Sequence, residues 1–233
     1  MKILKSSQFF VDTLKAVDIL VLAGPSGVGK TELTLNLSTF LTDSTVVDLD
    51  FCKGDFTLRS DRFQAPVFIP QKRNPLRYAD TPVIDQELLA LIGRAGAQNP
   101  VIIDLGGDQR GLKIFQVVRP LLAKKNWHVS LVVNFCRPFF QEEESYRTFI
   151  VRAEETFNLR FHSLIANTHL VELTDWMTFQ EGWQRTRSLA GSLSLPLFFT
   201  AVWEEILPSE SRWECFDGAV VAIKRFLHLP WEE

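Results

Sequence analysis

Asp18-Ile19-Leu20-Val21-Leu22-Ala23 is a short apolar run that ends in a glycine turn, and from Thr31 to Leu41 leucines recur at 33, 37 and 41, the spacing of one helix face. This pattern predicts strand, loop, helix. The alternation returns with a β-rich run at 44–50, an amphipathic stretch at 83–95, a strand at 100–105 and a helix near 109–124. Beyond it come a strand at 128–135, a helix at 139–158, a strand at 160–166, a helix around 176–190 and a short strand at 195–200. A closing helix is expected over 214–227, with Val220, Ile223 and Leu227 on one face. Such repeated crossovers are what parallel strands require. The continuous apolar runs Val101-Ile102-Ile103 and Leu131-Val132-Val133 suit strands covered by helices on both faces. The fold class expected is therefore α/β, a single domain over residues 1–233 with a mostly parallel sheet. The least regular segment is 51–82, and loops of that length inside compact domains are often functional.

Composition adds limits rather than direction. With 233 residues, 46% of them hydrophobic, the chain can bury a substantial core, and a net charge of −3 supplies no global field for nucleic acid or anionic lipid. No uninterrupted apolar run approaches the roughly 20 residues of a membrane span, and the opening MKILKSSQFFVDTLK carries charges where a signal peptide would be apolar. A cytoplasmic location is expected, with no membrane partner. Cys52, Cys136 and Cys215 are far apart and outside metal-ligand spacing, which reads as reduced thiols.

Chemistry enters at Gly24-Pro25-Ser26-Gly27-Val28-Gly29-Lys30-Thr31, which fits G-x-x-x-x-G-K-T between an expected strand and an expected helix. Its glycines let successive backbone N–H groups point inward at phosphate oxygens, and the helix that follows adds its positive end. Lys30 is expected to reach the β- and γ-phosphates, and the Thr31 hydroxyl to ligate Mg2+.

A phosphate cradle also needs carboxylates, at the strand ends beside it. Asp104 ends the run Val101 to Ile103, where a carboxylate can hold a metal-bound water. Asp104-Leu105-Gly106-Gly107 matches D-x-x-G, in which the Gly107 N–H can sense a γ-phosphate. Asp48 and Asp50 close another strand two residues apart, and either can serve the metal or the attacking water. Asp108 follows as a weaker candidate.

Taken in order, Gly24 to Thr31, Val46-Val47-Asp48-Leu49-Asp50-Phe51, Ile102-Ile103-Asp104-Leu105-Gly106-Gly107-Asp108 and Leu164-Ile165-Ala166-Asn167-Thr168-His169-Leu170 resemble the CobQ/CobB/MinD/ParA-type P-loop ATPases. The likeness extends from about residue 18 to 205 and is strongest to single-domain members with D-x-D-F and D-x-G-G-D motifs. It implies a SIMIBI-like P-loop fold and a Mg2+-dependent ATPase, with switch I around 48–59 and switch II around 104–111. It also implies that Asn167 hydrogen-bonds the adenine edge; no N-K-x-D motif for guanine is present. A nucleotide-dependent homodimer and a protein partner or cargo are further implications. The chain departs from many relatives in having Pro25 where they carry a second, signature lysine, and Lys53-Gly54 in switch I.

Two rival readings are a small-molecule kinase, which the Gly24 to Gly27 sequence also suits, and a nucleotide-sensing module without turnover. No lid with paired arginines supports the first, and intact Lys30, Thr31, Asp48 and Asp104 weigh against the second. Lys72, Arg73 and Arg77 form a small basic loop without interleaved aromatics, so a nucleic-acid partner is not expected. Arg59 and Arg110, flanking the two switches, are candidates to reach across a subunit interface.

Overall fold

The computed structural model of the protein describes residues 1–50, 66–68, 86–207 and 213–227. The segment containing Cys52, Arg59, Lys72, Arg73 and Arg77 lies outside the described residues, as does the side chain of Arg110.

The expected frame is present. Strand β1 (Lys2–Lys5) and helix α1 (Gln8–Ala16) lead into β2 (Ile19–Ala23), α2 (Lys30–Phe40), β3 (Thr45–Leu49) and β4 (Val67–Phe68). There follow α3 (Gln86–Arg94), β5 (Val101–Leu105), α4 (Gln109–Leu122), β6 (Trp127–Val133), α5 (Glu143–Phe157) and β7 (Ser163–Ala166). The described chain closes with α6 (Trp176–Leu193), β8 (Leu197–Trp203) and β9 (Ala219–Ile223). The strands form one sheet in the order β1-β9-β8-β7-β6-β2-β5-β3-β4, parallel throughout except where β1 pairs with β9.

Alternation along β2 shows how the sheet is covered. Ile19, Val21 and Ala23 join a core packed by α3, α4 and α5, whereas Leu20 and Leu22 face the opposite way, against α1 and α2. Every residue of β2 is buried, as a strand with helices on both faces must be. Helix α6 extends the first layer over the far strands, where Phe179 and Trp183 pack on Val202 and Val220.

Two segments differ from the sequence reading. Residues 214–227 are not a closing helix: Trp213–Cys215 is a single 3-10 turn, and β9 follows, inserted between β8 and β1. Ala219-Val220-Val221-Ala222-Ile223 is apolar at every position, so it satisfies helical spacing without being specific to it. Gly218, at φ 75, breaks any helix there, and pairing on both edges rewards the extended form. The other difference is the N-terminus, which carries β1 and α1. The signals for α1 were local: Ser7 caps it by accepting from the Phe10 N–H, and Phe10 and Leu14 lie one turn apart and buried.

Helix α2 is buried over residues 30–38 although six of these nine are polar. Its outer face is covered by the segment after β9. Asn36 exchanges hydrogen bonds with the backbone of Lys224 (2.8 and 2.9 Å), and the Glu32 carboxylate accepts from the N–H groups of Phe226 and Leu227 (2.5 and 3.1 Å). Burial pushes the Glu32 pKa up from 4.5 to about 7, while the two N–H bonds and Arg225 pull it down.

A raised pKa means that the folded state holds this proton more tightly than the unfolded chain does. The associated stability is fully present below 4.5 and is lost as the pH rises to about 7. Glu32→Gln removes the titration. Chemical unfolding of both proteins at pH values of about 4.5 to 8 is expected to show the variant gaining on the unmutated protein as pH rises. A difference independent of pH would rule out this titration.

Candidate functional site

The loop between β2 and α2 stands at the carboxyl end of a central strand, the edge at which open α/β sheets bind ligands. Gly24, Gly27 and Gly29 adopt φ values of 153°, 78° and 94°, which side chains other than glycine rarely take. Two of these sites are also sterically closed. A Cβ on Gly24 would lie 2.8 Å from the Val132 carbonyl oxygen, and one on Gly29 would lie 2.3 Å from Asn167 Nδ2.

Lys30 is 3% exposed and donates from Nζ to the carbonyl of Pro25 within the same loop, at 2.9 Å. Its ammonium lies 3.9 Å from Asp50 Oδ2. Thr31, in the first turn of α2, donates its hydroxyl to Asp104 Oδ2 at 2.5 Å. The sheet register explains this meeting: Asp104 stands beside Leu22 of β2 on one side and Asp48 of β3 on the other. Asp48 is buried, and its Oδ1 accepts from the backbone N–H of Asp50 at 2.9 Å. That bond turns the chain at the end of β3 as Asp50 approaches Lys30.

The glycines of D-x-x-G are packing residues as well. A Cβ on Gly106 would come to 3.0 Å from Asp50 Oδ1 and 3.2 Å from Asp108 Oδ1, and one on Gly107 would collide with the Gly24 carbonyl at 2.1 Å. The segment after β5 therefore lies directly on the phosphate-type loop. Asp108 caps α4 by accepting from the Gly111 N–H at 3.0 Å, which gives it a structural role.

Asn167 follows β7 and is completely buried. Its Nδ2 donates to the Val28 carbonyl at 2.8 Å, so it braces the back of the loop, while its Oδ1 has no hydrogen-bond partner among the described residues. Sequence reasoning missed two neighbours. His169 Nε2 stands 3.8 Å from where a Gly29 Cβ would be, and burial, with a contribution from the Arg137 charge, lowers its pKa to about 4, leaving a neutral ring. Arg137, in the loop after β6, lies against Gly27, its Nε 3.8 Å from a Cβ built there. Arg137 belongs to no recognisable local motif, and His169 lies in the run that carries Asn167 without a role of its own being legible there; the order of strands brings both to the loop.

A nucleoside triphosphate with Mg2+ fits this donor set. The glycine-lined loop leaves backbone room for phosphate, Lys30 supplies a positive charge, and Thr31 with Asp104 offers a hydroxyl and a carboxylate to Mg2+, which characteristically takes few protein ligands plus phosphate oxygens. Among the described residues, Cys136 is a free thiol, and no helix is long and apolar enough to cross a membrane.

No family model matches the sequence, and no curated protein matches it. Among solved structures, FlhF complexed with GMPPNP and Mg2+ aligns over 84% of this chain and 70% of its own, with 16% identity and a TM-score of 0.46. The cell division protein FtsY of Thermotoga maritima aligns over 80% of this chain with 18% identity and a TM-score of 0.47. This chain spans 62% of that protein's length. At 16% and 18% identity, these likenesses concern the fold alone.

Proposed function

We propose that the protein binds ATP with Mg2+ in the Gly24 to Thr31 loop and hydrolyses it slowly, acting as a nucleotide-controlled switch of the MinD/ParA-like kind for a partner or cargo. The observation that carries this reading is the convergence of loop and carboxylates: Thr31 Oγ1 on Asp104 Oδ2 at 2.5 Å, and Lys30 Nζ 3.9 Å from Asp50. Lys30 and the loop N–H groups bind the phosphates. Thr31 and Asp104 hold Mg2+, with Asp50 as a further ligand, and Asp48 or Asp50 orients the attacking water. Gly107 and its neighbours press on Gly24, so a γ-phosphate arriving at the loop meets the switch segment directly.

Adenine is favoured by the chemistry of Asn167. Its buried Oδ1 is an acceptor without a partner among the described residues, which suits the exocyclic amine donor of adenine and not the carbonyl of guanine. Slow turnover is inferred from Pro25, which stands where many relatives place a second lysine on the phosphates. A cation supplied in trans can be worth about 10³- to 10⁵-fold in rate. A nucleotide-dependent homodimer, or a separate partner, is the source of that acceleration in this reading.

Three measurements test it. Lys30→Ala leaves the loop backbone in place but removes its charge, so ATP binding by calorimetry is expected to collapse while the unfolding transition persists; unchanged affinity would remove the loop from the function. Asp104→Ala should abolish the strengthening of binding by Mg2+, and a magnesium titration matching that of the unmutated protein would exclude Asp104 as a metal ligand. Finally, purified protein is expected to turn over ATP well below ~1 s⁻¹, faster as its concentration rises or a partner is added, and to prefer ATP over GTP by about tenfold or more. Fast turnover independent of concentration, or equal competition by GTP, would contradict the switch and the base assignment respectively.

A further inference from the structure

Lys30 and Thr31 open α2 at the end of the loop, and Asp50 and Asp104 reach it from β3 and β5. On the opposite side of β2 stands β6, and the loop that follows it is built as firmly as the phosphate loop itself. The Asn134 N–H donates to the Tyr146 hydroxyl at 2.7 Å, and that hydroxyl donates back to the Asn134 carbonyl at 3.0 Å. Asn134 also donates from Nδ2 to the His169 carbonyl (3.1 Å) and accepts at Oδ1 from the Cys136 N–H (3.0 Å). The next residue, Arg137, turns the chain by donating its N–H to the Asn134 carbonyl at 3.3 Å. Phe135 is tied to the loop after β7 through Thr168 Oγ1 at 3.2 Å.

This scaffold carries the Arg137 side chain to the middle of the phosphate-type loop. Cδ, Nε and Cζ lie 3.7, 3.8 and 4.0 Å from the position of a Gly27 Cβ, which is van der Waals contact distance, so the guanidinium lies directly along the loop at Gly27. Its Nε is buried and has no hydrogen-bond partner among the described residues. Buried N–H donors are ordinarily paired, and a cation placed on an anion-binding loop with a donor to spare is suited to an anion. The adjacent His169 is held neutral, partly by this same charge, and so adds no second positive charge.

We propose that Arg137 is a phosphate-binding residue, which contacts the phosphate chain of the bound nucleotide from the β6 side, opposite Lys30. The inference rests on the nucleotide-binding reading above. The role assigned to it is a contact made alike to ground state and transition state, which raises affinity without raising the rate of the chemical step. It therefore leaves the slow turnover unrelieved.

The test uses the full chain and ATP with Mg2+, comparing Arg137→Ala, Arg137→Lys and Lys30→Ala. Arg137→Ala is expected to weaken ATP binding about 10- to 100-fold, as loss of a charge-assisted hydrogen bond does. The deficit should shrink as NaCl is raised, and Arg137→Lys should recover part of it. Unfolding temperatures and the single-turnover rate at saturating ATP should match those of the unmutated protein. A structural role would instead lower the unfolding temperature and give a deficit indifferent to salt. Unchanged affinity in Arg137→Ala, or a fall in single-turnover rate without a fall in affinity, would overturn the assignment to Arg137 while Lys30→Ala still reports on the loop. Absence of ATP binding by the unmutated protein would overturn both.

Discussion

Between Ala23 and Lys30 the chain leaves a fully buried strand and enters a buried helix, and three of the intervening residues, Gly24, Gly27 and Gly29, hold positive φ. That steric constraint governs the rest of the site. A loop without Cβ atoms at these places can be approached by other backbone, and it is: Gly107 lies on the Gly24 carbonyl, and Val132 of β6 stands close behind Gly24. The strand on each side of β2 thus delivers its carboxyl-terminal loop to the same point. What is read chemically as a phosphate cradle is physically a place where three loops pack with almost no side-chain volume between them.

Close packing also sets the electrostatics. Lys30, Asp48 and Asp104 are all buried, and unpaired burial of such charges would be strongly unfavourable. The observed contacts offset part of this cost: the Pro25 carbonyl takes a Lys30 proton, Thr31 donates to Asp104, and the Asp50 N–H donates to Asp48. Each of these partners is itself a group suited to a phosphate or a metal. In the function proposed above, ligand binding exchanges these internal hydrogen bonds for contacts with the nucleotide, which links occupancy of the loop to the positions of Asp50 and of the segment after β5.

On the far side, β6, β7 and α6 form a rigid wall. Gly182 of α6 packs so tightly on Thr168 that a Cβ would fall 2.1 Å from its Cβ, and Thr168 in turn holds Phe135. Asn167, His169 and Arg137 are positioned by this packing, and they reach Val28, Gly29 and Gly27 in turn. The tip of the β6 loop ends in Phe139, 91% exposed and at φ 67, so the rigid wall presents one large apolar side chain outward.

By itself the sequence determined the alternation of strands and helices over 18–50 and 83–200 and the whole phosphate-type loop, because both are written in residues adjacent along the chain. Period-two and helical spacing locate β2, α2, β5 and α4 to within about two residues. Asp48, Asp50 and Asp104 were legible as strand-end carboxylates for the same reason. The five apolar residues of β9 fit a helix as well as a strand, and only pairing with β8 and β1 decided between them. Tertiary structure alone also decided that residues 224–227 cover α2, and that Asn167 braces the loop through Val28. Arg137 is 110 positions from Gly27 and has no motif around it. Its place beside the loop follows from β6 pairing with β2, a choice made by the burial and register of whole strands and not by any short run of residues.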